Sequence, residues 1–366
     1  MFILLGIIFI AAIGITAFLQ HPLFGKKAKD IRLEKIKQSK NFRGNQFQNL
    51  SKTPALAEGV FYYDALKDIL FSKVKATKPT KSIPHIKTDI NQLKLTEDYL
   101  VWFGHSSYFL QVDQQKIVVD PVLTKNASPL YNTNVAFKGA DFFNTAILPA
   151  IDFLILTHDH YDHLDYTTFK EIKNRISKII CPLGVGAHLE YWGFPAEHII
   201  ELDWYENIIL NKSIQLTATP SRHFSGRGFK RNNTLWASYV LKSEKLNLFL
   251  GGDSGYDTHF KAIGKQFGPF DIAILENGQY DKKWKYIHLL PEDLPKACSD
   301  LNTKRLLPVH NSKFKLANHP WKEPLQKITE NAGKISETKI MTPKIGEIVY
   351  LNNENQAFEN WWEAIE

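Results

Sequence analysis

The sequence predicts a layered α/β architecture, with β-sheets covered by helices. Three observations carry that prediction. From Tyr99 onward, short apolar runs of the kind that form buried strands recur: YLVWF, YFLQV, KIVVD, FLILT, KIICP, SIQLTAT, ASYVL, LNLFLGG, DIAIL and RLLPV. Helix-like stretches stand between some of them, notably Tyr166 to Ile176 behind Asp165, a residue type that caps helix N-termini. Finally, 366 residues with 44% hydrophobic and 23% charged side chains have the composition of a globular protein with a substantial core.

The N-terminus, MFILLGIIFIAAIGITAFL, is uncharged from Phe2 to Leu19, with Thr16 as its one polar side chain. That length suits a bilayer-spanning helix, so residues 1–19 are expected to be a transmembrane anchor. A cleaved signal peptide competes. It calls for a basic region before the apolar run and a small-x-small site after it, whereas no Lys or Arg precedes the run and AFLQHP follows it. Lys26, Lys27, Lys29, Arg32, Lys35, Lys37, Lys40 and Arg43 come after it. The positive-inside rule then puts the bulk of a single-pass membrane protein on the cytoplasmic side.

Residues 20–50 are polar and basic and read as a juxtamembrane linker, either resting on anionic headgroups or solvated. Residues 51–98 are expected to be an extension packed on the main domain. Within it, VFYYDALKDILFSKVK (60–75) separates apolar and polar residues at helical spacing, at Phe61, Ala65 and Asp68 and at Leu66, Ile69 and Lys73. A helix lying on lipid and a helix packed on its own domain both show that pattern. Residues 99–366 hold the strand-like runs and form the main domain.

Two cysteines, Cys181 and Cys298, stand far apart, which excludes a disulfide framework and a cysteine-based zinc knuckle. The net charge of +7 is not spread evenly: residues 1–99 carry +8 and the remainder −1. A local basic excess of this kind argues against a nucleic-acid groove in the main body, so no nucleic-acid partner is expected.

The apolar runs end in polar residues. FLILT leads into THDHYDHLD, SIQLTATP is followed by Ser221, Arg222 and His223, LNLFLGG ends at Asp253, and RLLPV ends at His310. Four strand ends that each deliver His or Asp supply the ligand types borderline divalent metals take. Side chains two apart in an extended segment share a side, so His158 and His160 can converge on one ion. Asp162 and His163, offset where the chain turns, can reach a second. His223 completes a three-histidine set at the first site and His310 joins Asp162 and His163 at the second. Asp253, with two oxygens, can bridge both. Two metals about 3.5–4 Å apart make a hydrolytic centre that supplies a nucleophile at neutral pH and stabilises developing negative charge.

H-x-H-x-D-H, here His158, His160, Asp162 and His163, resembles the signature of the metallo-β-lactamase superfamily, with His223, Asp253 and His310 following in family order. The likeness is strongest to the branch containing the N-acylphosphatidylethanolamine-hydrolysing phospholipases D and their bacterial homologues. It covers roughly Asn49 to the C-terminus and rests on WFGHSSYFL, VVDPVL, TPSRHFSGRG, TLWASYVL, NGQYDKKWKYIHLLPEDL and PVHNSKFKLANHPWKEP. The resemblance implies a four-layer αββα sandwich, two zinc ions on the seven ligands, and catalytic roles for Asp253 and for His288 in KYIHLLPED. His105 and Asp120 match positions beside the site, where a ligating His commonly gives its second N–H to a carboxylate or carbonyl. Arg222 and Arg227 flank His223 and can meet an anionic phosphodiester or be solvated loop residues. Tyr280 falls on the pocket wall in that branch, but ENGQY (276–280) is more polar here than the family's version.

The leading functional expectation is a membrane-associated zinc phosphodiesterase of phospholipase D type acting on N-acylphosphatidylethanolamine-like phospholipids, with a homodimer allowed. A zinc lactone or ester hydrolase is the alternative, since the same centre attacks carbonyls. A diiron oxidoreductase of this fold resembles H-x-E-x-D, and His160 stands where that Glu would be. A non-catalytic, membrane-tethered metal-binding protein is the alternative of another class; loss of a ligand would favour it, and none is missing.

Overall fold

The computed structural model describes residues 2–331, 333 and 337–365, apart from the side chains of Ile3, Ala65, Ile69 and Leu70. An N-terminal arm holds α1 (Phe2–Leu19), α2 (Asp30–Gln38), the hairpin of β1 (Phe42–Arg43) and β2 (Gln46–Phe47), and α3 (Tyr62–Phe71). The body begins with β3 (Tyr99–Trp102), β4 (Tyr108–Val112), β5 (Gln115–Val119), β6 (Ile151–Ile155), α4 (Tyr166–Ile172), β7 (Ile176–Pro182), α5 (Gly186–Tyr191) and β8 (Ile199–Leu202). It continues through β9 (Asn207–Asn211), β10 (Ile214–Thr219), β11 (Ser238–Lys242), β12 (Asn247–Leu250), α6 (His259–Phe267) and β13 (Ile272–Glu276). α7 (Leu294–Leu301), β14 (Arg305–Val309), α8 (Glu323–Glu330), β15 (Lys339–Ile340) and β16 (Ile348–Tyr350) complete it.

The strands form two seven-stranded sheets, ordered β16-β3-β4-β5-β6-β7-β8 and β15-β14-β13-β12-β11-β10-β9. Each changes from antiparallel to parallel pairing partway across, at β5 in the first and β12 in the second. β4, β13 and β14 are buried along their whole length, the condition under which strands read as continuous apolar runs. Phe169 and Ile172 of α4 and Leu189 of α5 join a buried cluster with Ile155 and Ile180 of the first sheet. Phe260, Ile263, Leu294 and Cys298 of α6 and α7 pack on Val240, Phe249, Ala273 and Leu275 of the second. Helices therefore cover both sheets. Asp165 caps α4 through its carboxylate, which accepts from the Thr168 N–H at 2.9 Å.

The N-terminal arm departs from expectation in two ways. α1 is a helix over the apolar run, but its 18 residues rise about 27 Å at 1.5 Å each, short of the roughly 30 Å bilayer core. Among the described residues no helix is long and apolar enough to cross a membrane. A single-pass anchor is therefore not supported, and neither is the cytoplasmic placement derived from it. The expected linker at 20–50 is folded onto the body. Arg32 of α2 pairs with Glu190 at 2.8 Å and Glu201 at 2.6 Å, Ile36 of α2 and Phe47 of β2 are buried, and Asn49 bonds the His223 backbone. These contacts join partners more than 150 residues apart, which local composition does not reveal. α3 leaves Phe61, Tyr62, Tyr63, Leu66 and Phe71 exposed and is tied down by Asp68, which pairs with Lys283. Ala65 and Ile69 of the expected stripe lie outside the described side chains.

Candidate metal centre

Parallel strands deliver their C-terminal ends to one edge of the sandwich, and that edge gathers the strand-end polar residues. β6 runs into His158, His160, Asp162 and His163; β10, β12 and β14 lead to His223, Asp253 and His310. All seven are brought together. His160 Nδ1 lies 2.9 Å from His158 Nε2 and 3.2 Å from His223 Nε2. Asp162 Oδ2 lies 3.3 Å from His310 Nε2 and 3.6 Å from His163 Nε2. Asp253 stands between the two groups. Its Oδ1 is 3.3 Å from His163 Nε2, and its Oδ2 is 3.2 Å from His310, 3.8 Å from His223 and 3.9 Å from His158.

These atoms fit a divalent metal site. His163 Nε2 and Asp253 Oδ1 are buried and have no hydrogen-bond partner among the described residues, although they face each other. Orphaned buried polar atoms cost about 1–3 kcal/mol each, so an ion that both can bind removes a penalty the fold otherwise carries. Nitrogen and carboxylate donors in this number suit a borderline metal such as zinc.

The rings are held from behind, as metal-binding histidines generally are. His163 Nδ1 lies 2.7 Å from Asp120 Oδ2, His223 Nδ1 2.7 Å from the Ile287 carbonyl, His158 Nδ1 3.0 Å from Thr157 Oγ1, and His310 Nδ1 3.3 Å from the Gly278 carbonyl. His105 Nε2 sits 2.8 Å from Asp162 Oδ2. The structure thus puts His105 and Asp120 directly behind ligands. His105, Asp120, Gln279 and His310 all have left-handed backbone conformations, with φ of +53°, +42°, +58° and +65°. Strain of about 1–3 kcal/mol per residue concentrated there is typical of positions that a site requires.

Electrostatics put both carboxylates and three of the imidazoles in ligand-ready forms, whereas, against burial, carboxylate neighbours keep His163 and His310 protonated until a metal displaces the proton. Burial opposes ionisation of Asp253, yet the His163 and His310 rings hold its carboxyl well below the usual carboxylate range. Burial likewise opposes charge on Asp162, and His163 and His105 keep it ionised. Burial pushes His158 and His223 well below the ordinary imidazole value and His160 down to about 4, leaving all three neutral. His310 resists burial through Asp253 and Asp162 and is raised to about 10.

Three expected contacts are not made. Arg222 bonds Thr53 Oγ1, the Lys52 carbonyl and the Tyr256 carbonyl, fastening the extension rather than facing the centre. Arg227 is buried, with its guanidinium spent on backbone carbonyls, and is not a solvated loop residue either. Tyr280 stacks on His319 at 4.6 Å and bonds Glu323, and it takes no place in the groove wall. His288 does line the groove, and its Nδ1 lies 2.5 Å from Glu276 Oε2. Glu276 was missed in the sequence, although the run DIAIL ends on it just as the other runs end on ligands. Its second oxygen accepts from the Ser254 and Leu289 N–H groups. Arg231 was also missed: it stands over the Phe224 ring at 4.6 Å and lines both grooves that reach the centre.

The beta-lactamase superfamily domain matches residues 115–311, which include every candidate ligand. An uncharacterised protein of Mycobacterium tuberculosis (strain ATCC 25618 / H37Rv) is 35% identical over 80% of this chain and 79% of its own length. N-acyl-phosphatidylethanolamine-hydrolyzing phospholipase D 1 of Caenorhabditis elegans is 27% identical over 68% of this chain and 75% of its own. Among solved structures, the isothiocyanate hydrolase from Delia radicum gut bacteria shares the fold, with a TM-score of 0.52 at 18% identity over 69% of this chain and 98% of that one. A domain match over more than half the chain, with the ligand signature inside it, settles the family: the chain belongs to the metallo-β-lactamase superfamily, near the N-acylphosphatidylethanolamine-hydrolysing phospholipases D.

Proposed function

We propose that the chain is a metal-dependent hydrolase and, more specifically, a phospholipase D-type phosphodiesterase that uses two zinc ions and acts on N-acylphosphatidylethanolamine-like membrane lipids. The observation that supports the reading is Asp253, whose Oδ2 lies 3.2 Å from His310 of one ligand group and 3.8 and 3.9 Å from His223 and His158 of the other. When bound, a metal pair there supplies Lewis acidity, lowering the pKa of water and balancing charge on a diester oxygen. Asp253 orients the nucleophile between the two groups. His288, held by Glu276, turns its other ring nitrogen to the groove, where it can deliver a proton to the departing alkoxide. Arg231 takes the place expected of Arg222 and Arg227 as the cation facing a phosphodiester.

Membrane association rests on α1, whose exposed side chains are apolar on every side, and on Lys26, Lys27 and Lys29 at its root. A helix apolar on every side favours an apolar surrounding such as lipid. The similarity to the Caenorhabditis elegans phospholipase D supports the lipid substrate. The test is hydrolysis of N-acylphosphatidylethanolamine in mixed micelles by the zinc-loaded protein, with products identified by mass and Asp253→Asn alongside. Phosphatidic acid and N-acylethanolamine, absent with the variant, are expected. Turnover of lactones or simple esters with the diester untouched would reverse the substrate assignment.

A further inference from the structure

Two grooves meet at the metal centre. The smaller, about 350 Å³, runs beneath Tyr62 and Trp284 to His223 and His288. The larger, about 600 Å³, has Ile15, Phe18 and Phe24 on one wall and Leu130 and Phe229 on the other, and it reaches His160 and Asp162. Volumes of this order hold small ligands. One wall of the larger groove thus comes from α1 and the turn behind it, a segment that the ligand geometry does not need.

That segment is firmly attached. Arg227 donates from Nε and Nη2 to the Leu23 carbonyl at 2.9 and 2.7 Å. Its Nη1 donates at 2.7 Å to the carbonyls of both Asp159 and Leu164. These two residues bracket the loop that carries His160, Asp162 and His163. One buried guanidinium therefore ties the root of α1 to both ends of the ligand loop. The indole of Trp192 donates to the Pro22 carbonyl at 2.7 Å, and the Lys26 N–H donates to His188 Nδ1 at 2.8 Å. Gly25 between them has φ of +70°, and a Cβ there would lie 2.1 Å from His188 Nδ1, so the turn closes only with glycine. Beyond this root α1 runs outward with Phe2, Leu4, Phe9 and Ile10 exposed. The larger groove is therefore continuous, from a helix with apolar side chains on all sides to two candidate ligands. Arg231 lines it beside the two ligands, and lysines 26, 27 and 29 line an adjoining hollow that shares Phe24 and Phe229 with it.

We infer that the α1 groove is a binding site for one hydrocarbon chain of a membrane lipid, which passes from the bilayer along α1 while the headgroup phosphate lies at the inner end beside Arg231. The inference rests on the membrane-lipid reading above. It deepens that reading by making the N-terminal helix a wall of the substrate site as well as a tether. The chain is in contact with Ile15, Phe18 and Phe24, and the phosphate meets Arg231 beside the ligands.

The experiment uses the full-length zinc-loaded protein on vesicles of phosphatidylcholine and phosphatidylglycerol. These contain a phosphatidylcholine with a photoactivatable diazirine partway along one acyl chain, and labelled residues are mapped by mass spectrometry. Label on Phe229 and Leu130, in addition to the outer half of α1, is expected. Leu130→Asp, a change on an exposed loop, should cut labelling of Phe229 at least fivefold and leave labelling of Phe2–Ile10 unchanged. Label confined to the outer half of α1, label absent from α1 altogether, or Phe229 labelling indifferent to Leu130→Asp each overturns the inference. Hydrolysis of N-acylphosphatidylethanolamine in the same vesicles separates the two claims. Turnover without groove label removes this inference alone, and groove label without turnover removes the substrate assignment alone.

Discussion

Asp120→Asn is the sharpest probe of the metal centre because it changes one atom and one charge behind a single ligand. Asp120 Oδ2 is the partner of His163 Nδ1 at 2.7 Å and accepts from Thr157 Oγ1 at 2.6 Å, while Oδ1 accepts from the Thr157 N–H at 2.8 Å. An asparagine can keep only one of those faces. If its NH₂ replaces Oδ2, the His163 proton is driven from Nδ1 to Nε2, the atom that faces Asp253 and would bind metal. If its NH₂ replaces Oδ1, it confronts the Thr157 N–H, and a buried donor is left unsatisfied at a cost of about 1–3 kcal/mol. The first arrangement weakens metal binding by about 10–100-fold, the usual range for a lost partner behind a ligand, or roughly 1.4–2.7 kcal/mol. His158 and His223 keep their own anchors, Thr157 Oγ1 and the Ile287 carbonyl. Competition titration of the metal-free protein with a zinc chelator should therefore show one site weakened by that factor and the other within threefold of wild type. Equal weakening of both sites, or two unchanged affinities with unchanged stability, would refute the reasoning.

Four further outcomes are expected. Asp253→Ala removes the carboxylate shared by both ligand groups and should lower turnover by at least about 10³-fold, measured with metal supplied in excess. Glu276→Gln preserves the contacts to Ser254 and Leu289 but removes the charge behind His288. A fall in kcat of about 10–100-fold at constant KM is expected, and an unchanged kcat would remove His288 from proton transfer. Chelation should lower the melting temperature by several degrees, since a site held at a thousand times its Kd contributes about 4 kcal/mol, and zinc should restore it. Lys313 is buried, donates to the Phe103 and Val122 carbonyls, and is lowered by that burial from 10.5 to about 8. Its folded pKa lies below its unfolded one, so the charge costs stability fully below about pH 8, and the cost fades as pH rises towards 10.5. Denaturation of the metal-free protein should show stability gained across that window, and Lys313→Met should flatten it.

The ligand set was legible because metal chemistry is local in its demands. His158, His160, Asp162 and His163 sit within six residues, and His223, Asp253 and His310 each follow a recognisable apolar run. The sandwich was legible for a related reason, since strands buried on both faces leave unbroken apolar runs. What escaped depended on distant partners. Arg227 finds Leu23, and Arg222 finds Thr53, and nothing near either arginine distinguishes it from a substrate-facing cation. Tyr280 is turned away from the groove by Glu323 and His319. α1 was legible as an apolar helix, but its part in a groove wall depends on how the chain turns at Gly25, which no periodicity records.

Drawing ligands from β6, β10, β12 and β14 has a consequence for how the protein matures. The first ligand group lies between residues 158 and 223 and can be closed by Asp253, whereas the second waits for His310. During synthesis the two ligand groups cannot both be complete until residue 310 has emerged. Even then the first sheet is unfinished, because its edge strand β16 is the last strand of the chain and seats Val349 opposite Leu100. A nascent or truncated chain ending before residue 310 would present an incomplete centre. Closure of the second ligand group thus comes late, and a metal held there would report that the strands supplying it have all been made.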